Sequence, residues 1–265
     1  MPGEAIDLRG VSETMLQTLY ARAKETQKPS HYINDQTAVE IVSRLDYDFS
    51  NADKDAAMSS GVIARTILLD RMTESYLTLH PGTTVVNIAC GLDTRCYRMQ
   101  GKYRQWYNLD LPETIAIRKR FLAPTDTIRQ IACSAMDSSW AQQIEPVSGP
   151  VLVIIEGLTM YLTEPDVLQI FSIIEHRFAH AVVYVETMSP WIVSHVKEKS
   201  IESSSARFSW GVQNGLALQP LLPAFHHLMD VSLVEGMKVF MPIYKVLGLL
   251  PFVKNISNKI LVFKK

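Results

Sequence analysis

Gly91 and Asp110 stand 19 residues apart, each just past a short apolar run. Ala89-Cys90-Gly91-Leu92-Asp93-Thr94-Arg95 follows Val85-Val86-Asn87-Ile88, and Asp110-Leu111 follows Gln105-Trp106-Tyr107-Asn108-Leu109. Small residues at a strand end let the backbone approach a ligand closely, and a helix starting there offers free N–H groups. A carboxylate at the next strand end can accept both hydroxyls of a ribose. The competing role for Asp110 is to cap the helix that Leu111-Pro112-Glu113 opens. The loop carries one glycine of the G-x-G-x-x-G dinucleotide pattern, Gly91, with Ala89 two residues before it. Each missing glycine has a steric task against a pyrophosphate. The loop therefore suits an adenosyl ligand without phosphate, such as S-adenosylmethionine, better than a dinucleotide.

Three further charged residues fall where such a ligand could meet them. Arg65 lies on an otherwise apolar helical stretch, open to a ligand carboxylate or to an ion pair at the edge of the core. Glu156 ends the wholly apolar run Val151-Leu152-Val153-Ile154-Ile155. An unpaired carboxylate there is costly, so it needs a ligand ammonium or a neighbouring N–H. Asp137 either meets the ligand or turns the chain before Trp140. Arg22 either binds a carboxylate or lies on a solvated helix face. His176 and His180 are one helical turn apart, but no third ligand lies near them in sequence, so no metal is expected. Of the adjacent His226 and His227, one could serve as a general base. Cys90 shows no sign of an activated thiol.

The elements that must position these residues can be read from periodicity. Leu16, Leu19, Tyr20 and Ala23 recur at helical spacing, as do Val62, Leu69, Met72 and Tyr76, with His80-Pro81-Gly82 as a stop. Five β-branched runs follow: the three ending at Ile88, Leu109 and Ile131, then Val151 to Ile155 and Ala181 to Val185. Thr163-Glu164-Pro165-Asp166 has the form of a capping box, with Val167, Phe171, Ile174 and Phe178 as an inward stripe. Later runs at 231–234 and 259–263 would make seven strands. Strands alternating with helices predict an α/β, Rossmann-like, mostly parallel seven-stranded sheet with helices on both faces. The whole chain, 1–265, reads as one domain. It has a helical cover (1–80), a ligand-binding core (83–186), a lid or substrate insertion (187–229) and C-terminal strands (230–265).

Composition bounds the function. The chain has 265 residues, 26 Lys+Arg against 27 Asp+Glu, and a formal net charge of -1. That balance argues against a nucleic acid or a membrane surface held by bulk charge and leaves a small-molecule site open. The apolar stretch around Val246 to Val253 is broken by Pro251 and is too short to span a bilayer. Three cysteines without a CxxC pair, and no secretory signal, point to a reduced cytoplasmic protein. After Glu235 come six lysines and no acid, a pattern read as a solvated strand edge with a charged tail.

The ordered motifs resemble those of the leucine carboxyl methyltransferase family, which includes protein-phosphatase carboxyl methyltransferases and bacterial polyketide O-methyltransferases. The matching segments are Leu19 to Ala23, Gly61 to Thr66, Val86 to Arg95, Asn108 to Glu113, Cys133 to Trp140 and Glu156 to Leu162. The resemblance implies a class I methyltransferase fold with S-adenosylmethionine as donor. It implies Asp110, with Leu111 beside it, at the ribose and Asp137, followed by Ser138, at the adenine amino group. It implies Arg65 at the donor carboxylate, Gly91 under the methionine moiety and Glu156 near the ammonium. Ala89 stands where the family usually has a glycine, so its methyl group would crowd the donor.

The expected reaction is in-line methyl transfer to a carboxylate or hydroxyl oxygen of a small hydrophobic or aromatic molecule. A carboxylic acid is ionised at neutral pH and needs no base; a phenol would use Tyr161, His226 or His227. Arg22, Phe208 and Trp210 are the candidate acceptor contacts, with Leu216, Leu218 and Leu222 around them. Two rival readings are a nicotinamide-dependent oxidoreductase on a similar sheet, and a non-catalytic S-adenosylmethionine-binding interaction protein. The oligomeric state is not legible.

Overall fold

The computed structural model describes residues 11–195 and 207–265. Four helices come first: α1 (Val11–Thr26), α2 (Gln36–Arg44), α3 (Ser50–Lys54) and the long α4 (Ala56–Leu79). α1 and α4 are the two expected periodic segments. α2 and α4 begin where Asp35 and Asp55 accept the N–H groups of Ala38 and Met58.

Strands and helices then alternate. In order they are β1 (Thr84–Ile88), α5 (Arg95–Arg98), β2 (Gln105–Asp110), α6 (Pro112–Phe121), β3 (Ile128–Ala132), α7 (Ser139–Gln142), β4 (Val151–Ile155), α8 (Glu164–Arg177) and β5 (Val182–Thr187). Each of the five expected runs is a strand. The capping box is present at α8: Thr163 Oγ1 accepts the Asp166 N–H, and Asp166 accepts the Thr163 N–H. Val167, Phe171 and Ile174 are buried beneath it. The chain continues through α9 (Pro190–His195), α10 (Gly215–Leu218), β6 (His226–Ser232), α11 (Val234–Phe240), α12 (Tyr244–Leu247), α13 (Pro251–Ile256) and β7 (Lys259–Lys264).

The sheet order is β3-β2-β1-β4-β5-β7-β6. β7 runs antiparallel to both its neighbours, and the other pairings are parallel. β1 and β4 are buried throughout, as strands covered on both faces must be. One apolar layer, with Trp140, Phe171 and Ile174, fills the α7–α8 face. The other, with Leu69, Leu77 and Trp106, fills the α4–α5 face. Chain order reverses between β1 and β4, so the crevice for a ligand opens beyond the carboxyl ends of these strands.

One strand differs from expectation. β6 spans 226–232 rather than 231–234, so His226 and His227 lie on a strand and not in an insertion. β6 is an edge strand with mostly exposed side chains, and an edge exposed on both faces lacks the alternation that betrays a half-buried strand.

One carboxylate ties the first two helices to α5. The Asp35 side chain is fully buried, and its Oδ2 accepts from Arg22 Nε (2.9 Å), Arg98 Nη1 (2.8 Å) and Thr94 Oγ1 (2.5 Å). It therefore joins α1, α2 and α5. Asp35→Ala would leave the buried Arg22 guanidinium without its acid, while Arg98 keeps Asp70, and is expected to cost about 3–5 kcal/mol, read from the urea midpoint. Acid should act in the same direction. The carboxyls of Asp70 and Asp93 are buried, which works against their charge, yet facing arginines hold both below the ordinary value. Their contribution is complete above about pH 4 and is lost as the pH falls through their folded values.

Candidate active site

The carboxyl ends of β1, β2, β4 and β5 converge on the loop 89–94. Asp110 closes β2 and turns back on that loop: its Oδ2 accepts the Gly91 N–H at 2.7 Å and its Oδ1 the Leu111 N–H at 2.8 Å. Burial raises the Asp110 carboxyl above its ordinary pKa, against the pull of those two N–H groups. Gly91 has φ 46°, and a Cβ there would lie 3.1 Å from Met15 Cγ of α1. The positive φ and the close approach to Met15 both favour glycine at this position. Beside Asp110, Leu111 presents an apolar side chain that is 45 % exposed.

Beneath the loop lies a set of buried charges. Arg95 donates to Asp70 (2.7 Å), Asp93 (3.0 Å) and Glu156 (2.9 Å). Arg98 reaches Asp70 and Asp35. Arg118 of α6 is fully buried and donates to the carbonyls of Gly91 (2.9 Å) and Asp93 (2.7 Å). Asn87 of β1 donates to Asp93 at 2.9 Å. The loop is thus gripped by side chains on its carbonyls and on its one acid.

Arg65 is the far wall. Its Nε lies 2.7 Å from Glu156 Oε1, and its Nη1 donates to Glu186 Oε2 at 3.0 Å. No hydrogen bond among the described residues engages its Nη2. Glu186, at the end of β5, also accepts from the N–H of Gly157 (2.8 Å) and from Asn258 Nδ2 (3.3 Å). Gly157 has φ 66° and turns the chain away from β4. The sequence points to Arg65 and Glu156 here, but not to Glu186, Asp70, Asp93, Arg95 or Arg118. Their signal was available: Glu186 and Asp70 interrupt otherwise apolar runs, where a charge must be paired.

The remaining expected residues distribute differently. Asp137 is exposed, just past β3, and its Oδ1 accepts the Ser139 N–H at 2.9 Å; that bond lowers its pKa. Ser138 beside it is exposed. Arg22 is neither open to a ligand nor on a solvated face. It is buried, pairs with Asp35 and donates to the Leu92 carbonyl at 2.9 Å. Tyr161 follows β4 in a 3₁₀ turn, half-buried, with Phe208 5.7 Å away ring to ring. Trp210 packs into the core, as do Leu218 and Leu222, while Leu216 stands in solvent, so these four do not form one pocket wall. His226 pairs with Lys264, which pairs with Val182 at the start of β5. Both histidines therefore sit at the amino end of the sheet, opposite the cradle, and His227 Nε2 is spent on Asp230 at 2.8 Å. Cys90 is buried, which raises its thiol pKa and leaves it unreactive.

The chain is similar to known proteins. The family model for leucine carboxyl methyltransferase matches residues 15–175. The tetracenomycin polyketide synthesis O-methyltransferase TcmP of Streptomyces glaucescens is 33% identical over 239 residues, covering 88% of this chain and 87% of that one. The chain belongs to the leucine carboxyl methyltransferase family. Another relative, the S-adenosyl-L-methionine-dependent methyltransferase dpfgK of Gibberella zeae, is 31% identical over 254 residues, 86% of this chain and 85% of that one. Among solved structures, magnesium protoporphyrin IX methyltransferase from Synechocystis PCC 6803, with bound S-adenosylhomocysteine, shares the fold at TM-score 0.52 and 9% identity. It is matched over 79% of this chain and 87% of that one. Mycolic acid cyclopropane synthase CmaA1 does so at TM-score 0.51 and 14% identity, over 97% and 99%.

A leucine carboxyl methyltransferase takes its methyl group from S-adenosylmethionine, and family membership sets aside the oxidoreductase and non-catalytic readings. The cradle fits such a donor: a loop with a glycine at positive φ, a carboxylate at the end of β2, an apolar face at Leu111 and an unengaged guanidinium nitrogen on Arg65. One position fits less easily. Ala89 adopts φ 56°, a left-handed conformation that costs an L-residue about 1–2 kcal/mol. Ala89→Gly should relieve that strain and remove the methyl group from the cradle. The expected result is a folding stability higher by about 0.5–1 kcal/mol, after the glycine's greater unfolded-state entropy is subtracted. Thermal or urea unfolding reads it.

Proposed function

We propose that the chain is an O-methyltransferase acting on the carboxylate of a small hydrophobic or aromatic molecule. The observation that carries this reading is the placement of His226 and His227 at the end of the sheet opposite the cradle. A phenol must lose a proton to become a nucleophile, whereas a carboxylic acid, with a pKa near 4, is already ionised at neutral pH. The similarity to a polyketide O-methyltransferase supports oxygen as the accepting atom and a largely apolar acceptor. A hydroxyl acceptor is favoured by one feature, the half-buried Tyr161 facing Phe208 just beyond β4.

S-adenosylmethionine supplies a methyl group on a sulfonium that is already reactive. The work left to the protein is to hold, align and exclude water, which can supply about 7–11 kcal/mol of a barrier. In this reading Asp110 accepts the ribose hydroxyls and Leu111 lies against the adenine. Asp137 and Ser138 stand near the adenine amino group. Arg65 takes the donor carboxylate on its Nη2, and Glu156 takes the ammonium. Ala89 and Gly91 pass under the methionine moiety as backbone.

Asp110→Ala is expected to weaken S-adenosylhomocysteine binding by tenfold or more, about 1.4 kcal/mol or above; unchanged affinity in a calorimetric titration would reject the ribose role. The parent protein should also lose affinity as the pH falls through the elevated Asp110 pKa, because a protonated carboxyl accepts poorly. For the acceptor, turnover with aromatic carboxylic acids should exceed turnover with matched phenols at neutral pH. Phenol methylation that rises with pH and drops in Tyr161→Phe would overturn the carboxylate assignment.

A further inference from the structure

The stretch 243–252 presents an apolar surface outside the cores formed by the described residues. Ile243, Val246, Leu249, Leu250 and Phe252 are all exposed, Leu249 to 72%. The spacing of Ile243, Val246 and the leucine pair puts them on one side of α12 and its flanking turns. Trp191 of α9 extends the surface, with its ring 6.4 Å from that of Phe252. Large apolar side chains clustered on a surface mark an interaction site.

The charge within this segment is one-sided. The six lysines after Glu235 do not form the solvated edge expected of them. Lys259 is buried, with its Nζ donating to the Gln213 and Asn255 carbonyls, and Lys265 donates to the carbonyls of Glu175 and Phe178. Lys245 and Lys254 stay exposed within the apolar segment, and no acid lies between Glu235 and the end of the sequence.

We propose that α12 and α13, with Trp191, form an interfacial anchor that seats the enzyme on an anionic lipid bilayer. The side chains protrude from short helices, which suits a continuous apolar medium; sites for small ligands are concave. A second copy of the chain docked through the same segment would bring lysines with no acid in the segment to receive them. A bilayer takes both features together, the lysines at the phosphates and the leucines, phenylalanine and tryptophan at the acyl boundary. No helix among the described residues is long and apolar enough to cross a membrane, so the contact is peripheral. The net charge of -1 does not oppose it, because charges act over a Debye length of about 8 Å. The anchor joins the start of β7, which pairs with the end of β5 at Thr187. It thus lies on the same rim of the sheet as the cradle, where an apolar acceptor leaving the lipid would arrive.

Cosedimentation of the full chain with phosphatidylcholine vesicles containing about one-third phosphatidylglycerol, set against pure phosphatidylcholine, reads the proposal. Binding to the anionic vesicles is expected, weakened by salt. It should fall about tenfold or more in Leu249→Ser/Phe252→Ser and in Lys245→Glu/Lys254→Glu. Calorimetric affinity for S-adenosylhomocysteine should stay at the parent value in both variants, which establishes that they fold. A parent protein that ignores anionic vesicles overturns the proposal, as do folded variants that bind like the parent. So does a concentration-dependent dimer that Leu249→Ser/Phe252→Ser abolishes. A raised KM for apolar acceptors in that variant, with vesicle binding unchanged, would assign the surface to the acceptor instead.

Discussion

Charges buried beneath the β1 loop must all be paired, and most of the architecture follows from meeting that demand. Arg95 alone engages acids from α4, from the loop and from the end of β4. Arg98 and Asp35 bring in α5, α1 and α2. Such networks add little net stability over well-packed apolar residues, but they punish any arrangement that leaves a member alone. Their effect here is to fix one geometry for the loop. Each side chain under the loop is tied to more than one partner, so moving the loop would disturb several contacts at once.

These contacts also set the backbone of a loop short of glycines. The Gly91 and Asp93 carbonyls are turned down onto Arg118, and the Gly91 N–H is turned onto Asp110. Backbone direction is set by partners below rather than by conformational freedom above. Ala89 is held at positive φ by the same scaffold, a local cost tolerated at a functional turn.

Much of the fold was legible in the sequence because its central strands are apolar runs and its crossover helices carry caps. The edges were not. β6 is exposed on both faces and imposes no strong period, and α2, though amphipathic, is only 9 residues long. For the site, Asp110, Arg65 and Glu156 could be singled out because each is a charge at the end of, or within, an apolar run. What could not be read was how such charges divide among partners. Arg22 looked like a ligand contact or a surface residue, and only the packing of α1 on α2 shows that Asp35 takes it. Phe208 and Trp210 lie two residues apart, yet one faces Tyr161 and the other enters the core.

The position of β7 has a consequence for how the chain assembles. The last strand in sequence lies inside the sheet, between β5 and β6. Until it arrives, β5 is an open edge and β6 has no neighbour to pair with. Synthesis proceeds from the amino terminus, so the β1–β5 half can pair while the rest is still emerging. Glu186, meanwhile, waits for Asn258, more than seventy residues later in the chain, to complete its set of partners. Closure of the sheet and completion of the carboxylate wall beside Arg65 are therefore the same late event, and a nascent chain cannot finish one without the other.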